Sequence, residues 1–202
     1  GTRVALPTVG AVAAATGDVD RDGRDDILFI NEVDGTYGLS PSRIYWNDGH
    51  GRFSRDRVTL IESRDPFGHC AADFNLDGYL DLAIANSYEY GRYREEGSYV
   101  YWGGADGAWT PGRRSLVPTD FAVGVVAGDF NRDGWLDLAF SQISSSLDER
   151  VAHAKEIKRS PIFWGGSAGF AAERVTWLPV ENPRGLTLAD LRSCSALFDR
   201  GA

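Results

Sequence analysis

Three stretches of this sequence carry oxygen-bearing side chains at a spacing that suits a hard cation. They are Gly17-Asp-Val-Asp-Arg-Asp-Gly-Arg-Asp-Asp-Ile27, Ala72-Asp-Phe-Asn-Leu-Asp-Gly-Tyr-Leu-Asp-Leu82 and Gly128-Asp-Phe-Asn-Arg-Asp-Gly-Trp-Leu-Asp-Leu138. Each fits D-x-[DN]-x-D-G-x-x-D, with oxygens at positions 1, 3, 5 and 9 and Gly at position 6, where the chain must turn sharply. Calcium takes about six to eight oxygens, and the backbone carbonyl at position 7 supplies a further one. The first loop offers Asp18, Asp20, Asp22, the Arg24 carbonyl and Asp26. The second offers Asp73, Asn75, Asp77, the Tyr79 carbonyl and Asp81, and the third Asp129, Asn131, Asp133, the Trp135 carbonyl and Asp137. Three Ca2+ sites are therefore expected. An EF-hand is excluded, because its twelfth position needs Glu and these loops have Phe29, Ile84 and Phe140 there. Asp, Asn and Gly also favour metal-free turns. Three loops in register, each crowding carboxylates that repel one another without a cation among them, favour the metal.

The loops recur at a fixed step, and that step defines the elements that must hold them. Asp18, Asp73 and Asp129 follow one another at 55 and 56 residues. A second landmark keeps the rhythm: Ile44-Tyr-Trp-Asn-Asp-Gly49, Val100-Tyr-Trp-Gly-Gly104 and Ile162-Phe-Trp-Gly-Gly166. Four short strands are expected in each unit. The first (Val12 to Ala15, His69 to Ala72, Val123 to Ala127) leads into the acidic loop. The second (Ile27 to Ile30, Leu82 to Ala85, Leu138 to Phe140) is continuously apolar and suits burial on both faces. The third carries the Trp, and a Gly-rich turn leads to the fourth, such as Arg57 to Ile61. The expected fold is all-β, with β-propeller blades of four antiparallel strands that stack because one blade cannot bury both faces alone. The repeats fall at about residues 10–66, 67–118 and 119–182, with a partial fourth at 183–202. That fourth unit starts at Leu186-Thr-Leu-Ala-Asp190 and then has Arg192, Cys194 and Ser195 where acid, acid and Gly belong. Either the copy is degenerate or the end of the chain is not native sequence.

The acidic loop together with the Tyr-Trp-Gly-Gly or Phe-Trp-Gly-Gly turn resembles the FG-GAP/VCBS repeat family, over roughly residues 10–190. The resemblance implies a seven-bladed, calcium-binding β-propeller, usually extracellular or at the cell surface, often in adhesion or carbohydrate recognition. Propellers use about four to eight blades, and seven at this step need about 392 residues. The chain, which begins Gly1-Thr2-Arg3, is thus expected to be a fragment whose remaining blades belong to the same longer chain or to a second copy.

Composition narrows the partners. With 202 residues, 43% hydrophobic and 25% charged, the chain can bury a core. No apolar run approaches the ~20 residues of a membrane helix. A formal charge of −8 excludes a general phosphate-backbone binder, so nucleic acid is not an expected partner, and three Ca2+ would bring that charge to −2. Cys70 and Cys194 are too few for a disulfide framework.

Ligand contacts are expected opposite the acidic loops, where the insertions 32–40, 88–96 and 141–159 gather on a rigid scaffold. Tyr88, Tyr90, Arg92 and Tyr93 can stack on and hydrogen-bond to a sugar. Asn31, Asn86 and Gln142 share one repeat position and are candidates to present amides at the ring mouth, or else simply turn formers. Leu147 to Ile157 has near-helical spacing. Trp46, Trp102 and Trp164 are read as packing between blades, and Cys70 as a small buried residue. No nucleophile elbow, phosphate loop or His-Glu-x-x-His motif is present. A module binding carbohydrate or an extracellular protein comes first. A propeller attached to a polysaccharide-active lyase or hydrolase comes second, and a structural spacer third.

Overall fold

The computed structural model describes residues 4–32, 41–87, 97–143, 159–181, 183 and 185–187. Twelve strands form three antiparallel sheets of four. The first runs β1 (Ala11–Gly17), β2 (Asp26–Asn31), β3 (Ser42–Asn47), β4 (Phe53–Ile61), side by side in chain order. The second is β5 (Pro66–Ala72), β6 (Asp81–Asn86), β7 (Ser98–Tyr101), β8 (Arg114–Val117), and the third β9 (Ala122–Gly128), β10 (Asp137–Gln142), β11 (Ser160–Phe163), β12 (Val175–Leu178). No α-helix occurs among the described residues; a single 3-10 turn spans Pro111–Arg113. Trp46 lies within β3, but Trp102 and Trp164 follow directly after β7 and β11. The insertions 33–40, 88–96 and 144–158, including the expected helical stretch, lie outside the described residues, as does the fourth unit beyond 187.

Each sheet enters its innermost strand through the same irregularity. Gly10, Asp65 and Phe121 have φ of 61°, 43° and 44°, and the residue two places on is bulged against its partner strand. The carbonyl of each kinked residue accepts a bond from the chain leaving the second strand: Glu32 N, Ser87 N and Ile143 N at 2.8, 3.1 and 3.1 Å. Phe and Asp in this region carry strain that Gly avoids, so tertiary pairing holds them there.

The apolar core lies between sheets rather than within them. Leu28, Ile30 and Ile44 of the first blade meet Leu82, Ile84, Tyr99 and Tyr101 of the second in one buried cluster. The opposite face of the second blade, Ala83, Ala85 and Val100, meets Leu138, Phe140 and Phe163 of the third. Strand alternation explains the division, because neighbouring residues of the twice-buried β6 point to opposite blades. The inner strands approach closely: a Cβ on Gly68 would lie 2.6 Å from the Cα of Gly124.

Candidate metal centre

All three acidic loops join the first and second strand of a blade, on the side that also holds the turn between the third and fourth. The sequence repeat produces one local fold. Position 4 adopts a left-handed conformation (Arg21, Leu76 and Arg132, φ 60–64°), and the Gly at position 6 follows at φ 85–91°. The amide of that Gly donates to the first Asp: Gly23 to Asp18, Gly78 to Asp73 and Gly134 to Asp129, at 2.9, 2.7 and 3.0 Å.

The loops differ at position 3. In loop one the carboxylate oxygens of Asp18, Asp20 and Asp22 lie within 4.8 Å of one another. Arg24 Nη1 contacts Asp22 at 3.0 Å on an exposed edge. Asp18 Oδ1 is enclosed by protein and has no hydrogen-bond partner. Buried polar atoms nearly always have one, so an orphaned carboxylate oxygen facing two further carboxylates fits a cation. In loops two and three Asn replaces Asp at this position. Asn75 Nδ2 donates to Asp77 Oδ2 and Asn131 Nδ2 to Asp133 Oδ2, both at 2.9 Å, so in these loops an amide satisfies a carboxylate that loop one leaves among other carboxylates. Tyr79 N and Trp135 N donate to Asp77 and Asp133 at 2.8 and 2.9 Å, and that amide is the main cause of the lowered Asp133 pKa.

The last acid of each motif is placed differently from the others. Asp26, Asp81 and Asp137 are buried, and both oxygens accept from backbone. Asp81 Oδ2 takes Phe74 N and Oδ1 takes Gly103 N, each at 2.8 Å; Asp137 takes Phe130 N and Gly165 N, each at 2.9 Å. Asp26 takes Val19 N at 3.3 Å and Asn47 N at 2.9 Å. These carboxylates tie the acidic loop to the Trp turn, and Asp26 is not part of the close cluster of Asp18, Asp20 and Asp22. Burial pushes the Asp81 pKa up to about 6 and raises that of Asp26, against the pull of the amides.

Loops one and two are also backed by the following blade, a contact that strand patterns alone do not reveal. Val19, at position 2 of loop one, shares a buried cluster with Trp109 from the turn between β7 and β8 of the second blade. Phe74, its counterpart in loop two, meets Phe170 edge-on at 5.7 Å, and Phe170 stacks on Trp102 at 6.2 Å. A Cβ on Gly107 would come within 2.6 Å of Asp20 and 3.5 Å of Trp46, and one on Gly169 within 3.0 Å of Trp102. Trp46 and Trp102 therefore do pack between blades, whereas the described contacts of Trp164 lie within its own blade. All three indole nitrogens donate within the blade, to Thr59, Ser115 and Thr176 at 3.0, 2.8 and 3.0 Å.

Asn31, Asn86 and Gln142 are not open amides at a ring mouth, because all three are buried and occupied. Their NH2 groups donate to the carbonyls of Pro41, Gly97 and Arg159 at 2.9, 3.0 and 3.1 Å. Their oxygens accept from Thr8 Oγ1, Arg64 N and Asp120 N, so they clasp the third strand to the incoming linker. Paired hydroxyls, Ser42 with Ser63 and Ser98 with Thr119, complete this network at 3.0 and 2.7 Å. The signal was the shared repeat position, which marks scaffold as readily as function. Tyr88, Tyr90, Arg92 and Tyr93 lie outside the described residues. Cys70 is a thiol whose pKa burial raises to about 12, and burial lowers that of His69.

Three stacked four-stranded blades, each with an acidic loop and a Trp turn on one side, define a β-propeller-type repeat module. Residues 18–84 and 73–140 match the FG-GAP-like repeat, together more than half the chain, and the chain belongs to that family. Comparison with curated proteins finds no match. No helix among the described residues is long and apolar enough to cross a membrane.

Proposed function

We propose that the chain is a calcium-stabilised propeller module of an extracellular or cell-surface protein, and that it binds a carbohydrate or protein ligand rather than transforming one. The observation that carries the calcium reading is the buried, unpartnered Asp18 Oδ1 beside Asp20 and Asp22. Asp18, Asp20, Asp22 and the Arg24 carbonyl would hold the ion in loop one. Asp73, Asn75 and Asp77 with the Tyr79 carbonyl, and Asp129, Asn131 and Asp133 with the Trp135 carbonyl, would hold it in the others. Asp26, Asp81 and Asp137 close each loop from below. The ion supplies positive charge where carboxylates otherwise repel. Loop one, with the most acid and no internal amide, is the tightest site in this reading. Closure into the seven-bladed ring that the family implies needs blades beyond these three, and ligand contacts fall to the insertions on the opposite side.

Calcium titration of chelated protein tests the reading, by calorimetry and thermal unfolding. An ion bound only to the folded state stabilises it by about 2.7 kcal/mol at a hundredfold excess over Kd. The expected result is a rising melting temperature, with the strongest site weakened toward the affinity of the other two in Asp20→Asn and lost in Asp18→Ala. No heat and no shift in millimolar Ca2+ overturns it. For the ligand, a glycan array showing binding without turnover is expected, and release of a product refutes the binding-module assignment.

A further inference from the structure

Loop one reaches loop two through the side chain of Arg21, its position 4. The guanidinium carbon lies 5.0 Å from the centre of the Tyr79 ring, and a Cβ on Gly78 would come within 2.8 and 2.9 Å of the two terminal nitrogens. Gly78 and Tyr79 are positions 6 and 7 of loop two. The Gly78 amide donates to Asp73 and the Tyr79 amide to Asp77, and the Tyr79 carbonyl is the backbone oxygen offered to the cation. None of the ion pairs among the described residues involves Arg21, so its charge is left to act on the loop it covers. The next step of the repeat is built differently. Position 4 of loop two is Leu76, 57% exposed, and nothing lies within 4 Å of the Cβ direction of Gly134 in loop three. Arg174 acts weakly on Asp133 from the third blade's own turn, where its guanidinium donates to Gly165 O, and no charge crosses from loop two.

We propose that Arg21 is a counter-charge supplied by loop one to loop two, and that it lowers the affinity of loop two for calcium. The inference rests on the calcium reading above and adds to it how one site regulates its neighbour. A guanidinium held against loop two offsets the repulsion between Asp73 and Asp77 while the loop is empty, and it repels a divalent ion that enters. Both effects favour the empty loop. A planar guanidinium suits this seat, because it lies flat on a glycine and an aromatic face while its edges stay hydrated. Arg21 also belongs to loop one, so an ion bound there drives the side chain outward, toward loop two. Filling one site therefore disfavours the other, and linkage makes the effect on binding equal in both directions. Arg21 is exposed, so the effective dielectric is high, and removing the charge is expected to tighten loop two about three- to tenfold.

The test is a calorimetric calcium titration of the full chain carrying Asp129→Ala, which leaves loops one and two. Two binding events are expected, and adding Asp73→Ala identifies which belongs to loop two. Arg21→Leu installs the residue that loop two itself carries at position 4, in the same left-handed conformation. It should tighten the loop-two event about three- to tenfold, whereas Arg21→Lys, which keeps the charge, should change it by less than about twofold. The Leu effect should shrink between about 0.1 and 1 M KCl, as the screening length falls from about 10 to 3 Å; a lost packing contact would not follow the salt. Circular dichroism checks that each variant keeps the fold. A loop-two Kd that Arg21→Leu leaves unchanged or weakens overturns the proposal and leaves the calcium sites standing. A Lys variant that matches the Leu variant, or a salt-independent change, does the same. Absence of any heat that Asp73→Ala removes sinks it together with the assignment of loop two as a cation site.

Discussion

Asp81→Asn separates two effects that the buried carboxylate combines. Asp81 accepts Phe74 N and Gly103 N at 2.8 Å each and is fully buried. Asn keeps one acceptor oxygen and turns an NH2 group toward the other amide. Losing a hydrogen bond to a charged group and stranding a buried donor costs about 2–3 kcal/mol. The carboxylate has its own penalty: burial, helped by the nearby charges of Asp77 and Asp73, raises its pKa from 3.8 to about 6. A raised carboxyl pKa means that the folded state holds a proton that the unfolded chain releases. Its stabilising contribution is thus complete below the unfolded value and lost as pH rises through the folded value. From pH 7 to pH 5 the wild type should gain about 1 kcal/mol from this group, and the Asn variant nothing. Urea unfolding of both proteins in chelator, at the two pH values, reads the difference directly. The wild type should lead at pH 7 and lead by more at pH 5. A gap that stays constant or narrows on acidification refutes the reasoning, since it would mean the amides outweigh burial.

Other perturbations have equally definite outcomes. Gly165→Ala places a methyl group inside contact distance of the Leu136 carbonyl, which is backbone and cannot yield, so thermal melting should show a loss above about 3 kcal/mol. Gly51→Ala enters open space and meets only the cost of its positive φ, about 1 kcal/mol. Asn86→Ala removes its bonds to Gly97 O and Arg64 N, and denaturation should record a loss of about 1–3 kcal/mol. In a Cys194→Ser background, Cys70 should resist alkylation at neutral pH until urea unfolds the sheet, because burial keeps its thiol protonated.

The repeat made much of this architecture legible. Acidic loop, apolar second strand and Trp turn each recur in sequence, and they are local features whose side chains sit within a few residues of one another. Asp18, Asp20 and Asp22 could be grouped because a single tight turn brings them together. The role of Asp26, Asp81 and Asp137 was not legible in the same way: their second partner is the Trp turn, 21 to 28 residues on, and the motif's spacing is silent about it. Asn31, Asn86 and Gln142 look like ligand donors in a linear reading because amides at strand ends are so often exposed. Here the linker from the preceding blade covers them. The strained Asp65 and Phe121 carry no sequence mark, since Gly10 alone of the three has the residue type that the backbone favours.

The backing of loops one and two by the following blade has a temporal consequence during synthesis. Loop one is complete once Asp26 has emerged, but Gly107 and Trp109, which press against it, follow some eighty residues later. At about 5–20 residues per second the ribosome leaves that loop unsupported for roughly 4–16 s. Throughout that interval the nascent chain presents a bare run of carboxylates whose final shape depends on sequence not yet translated.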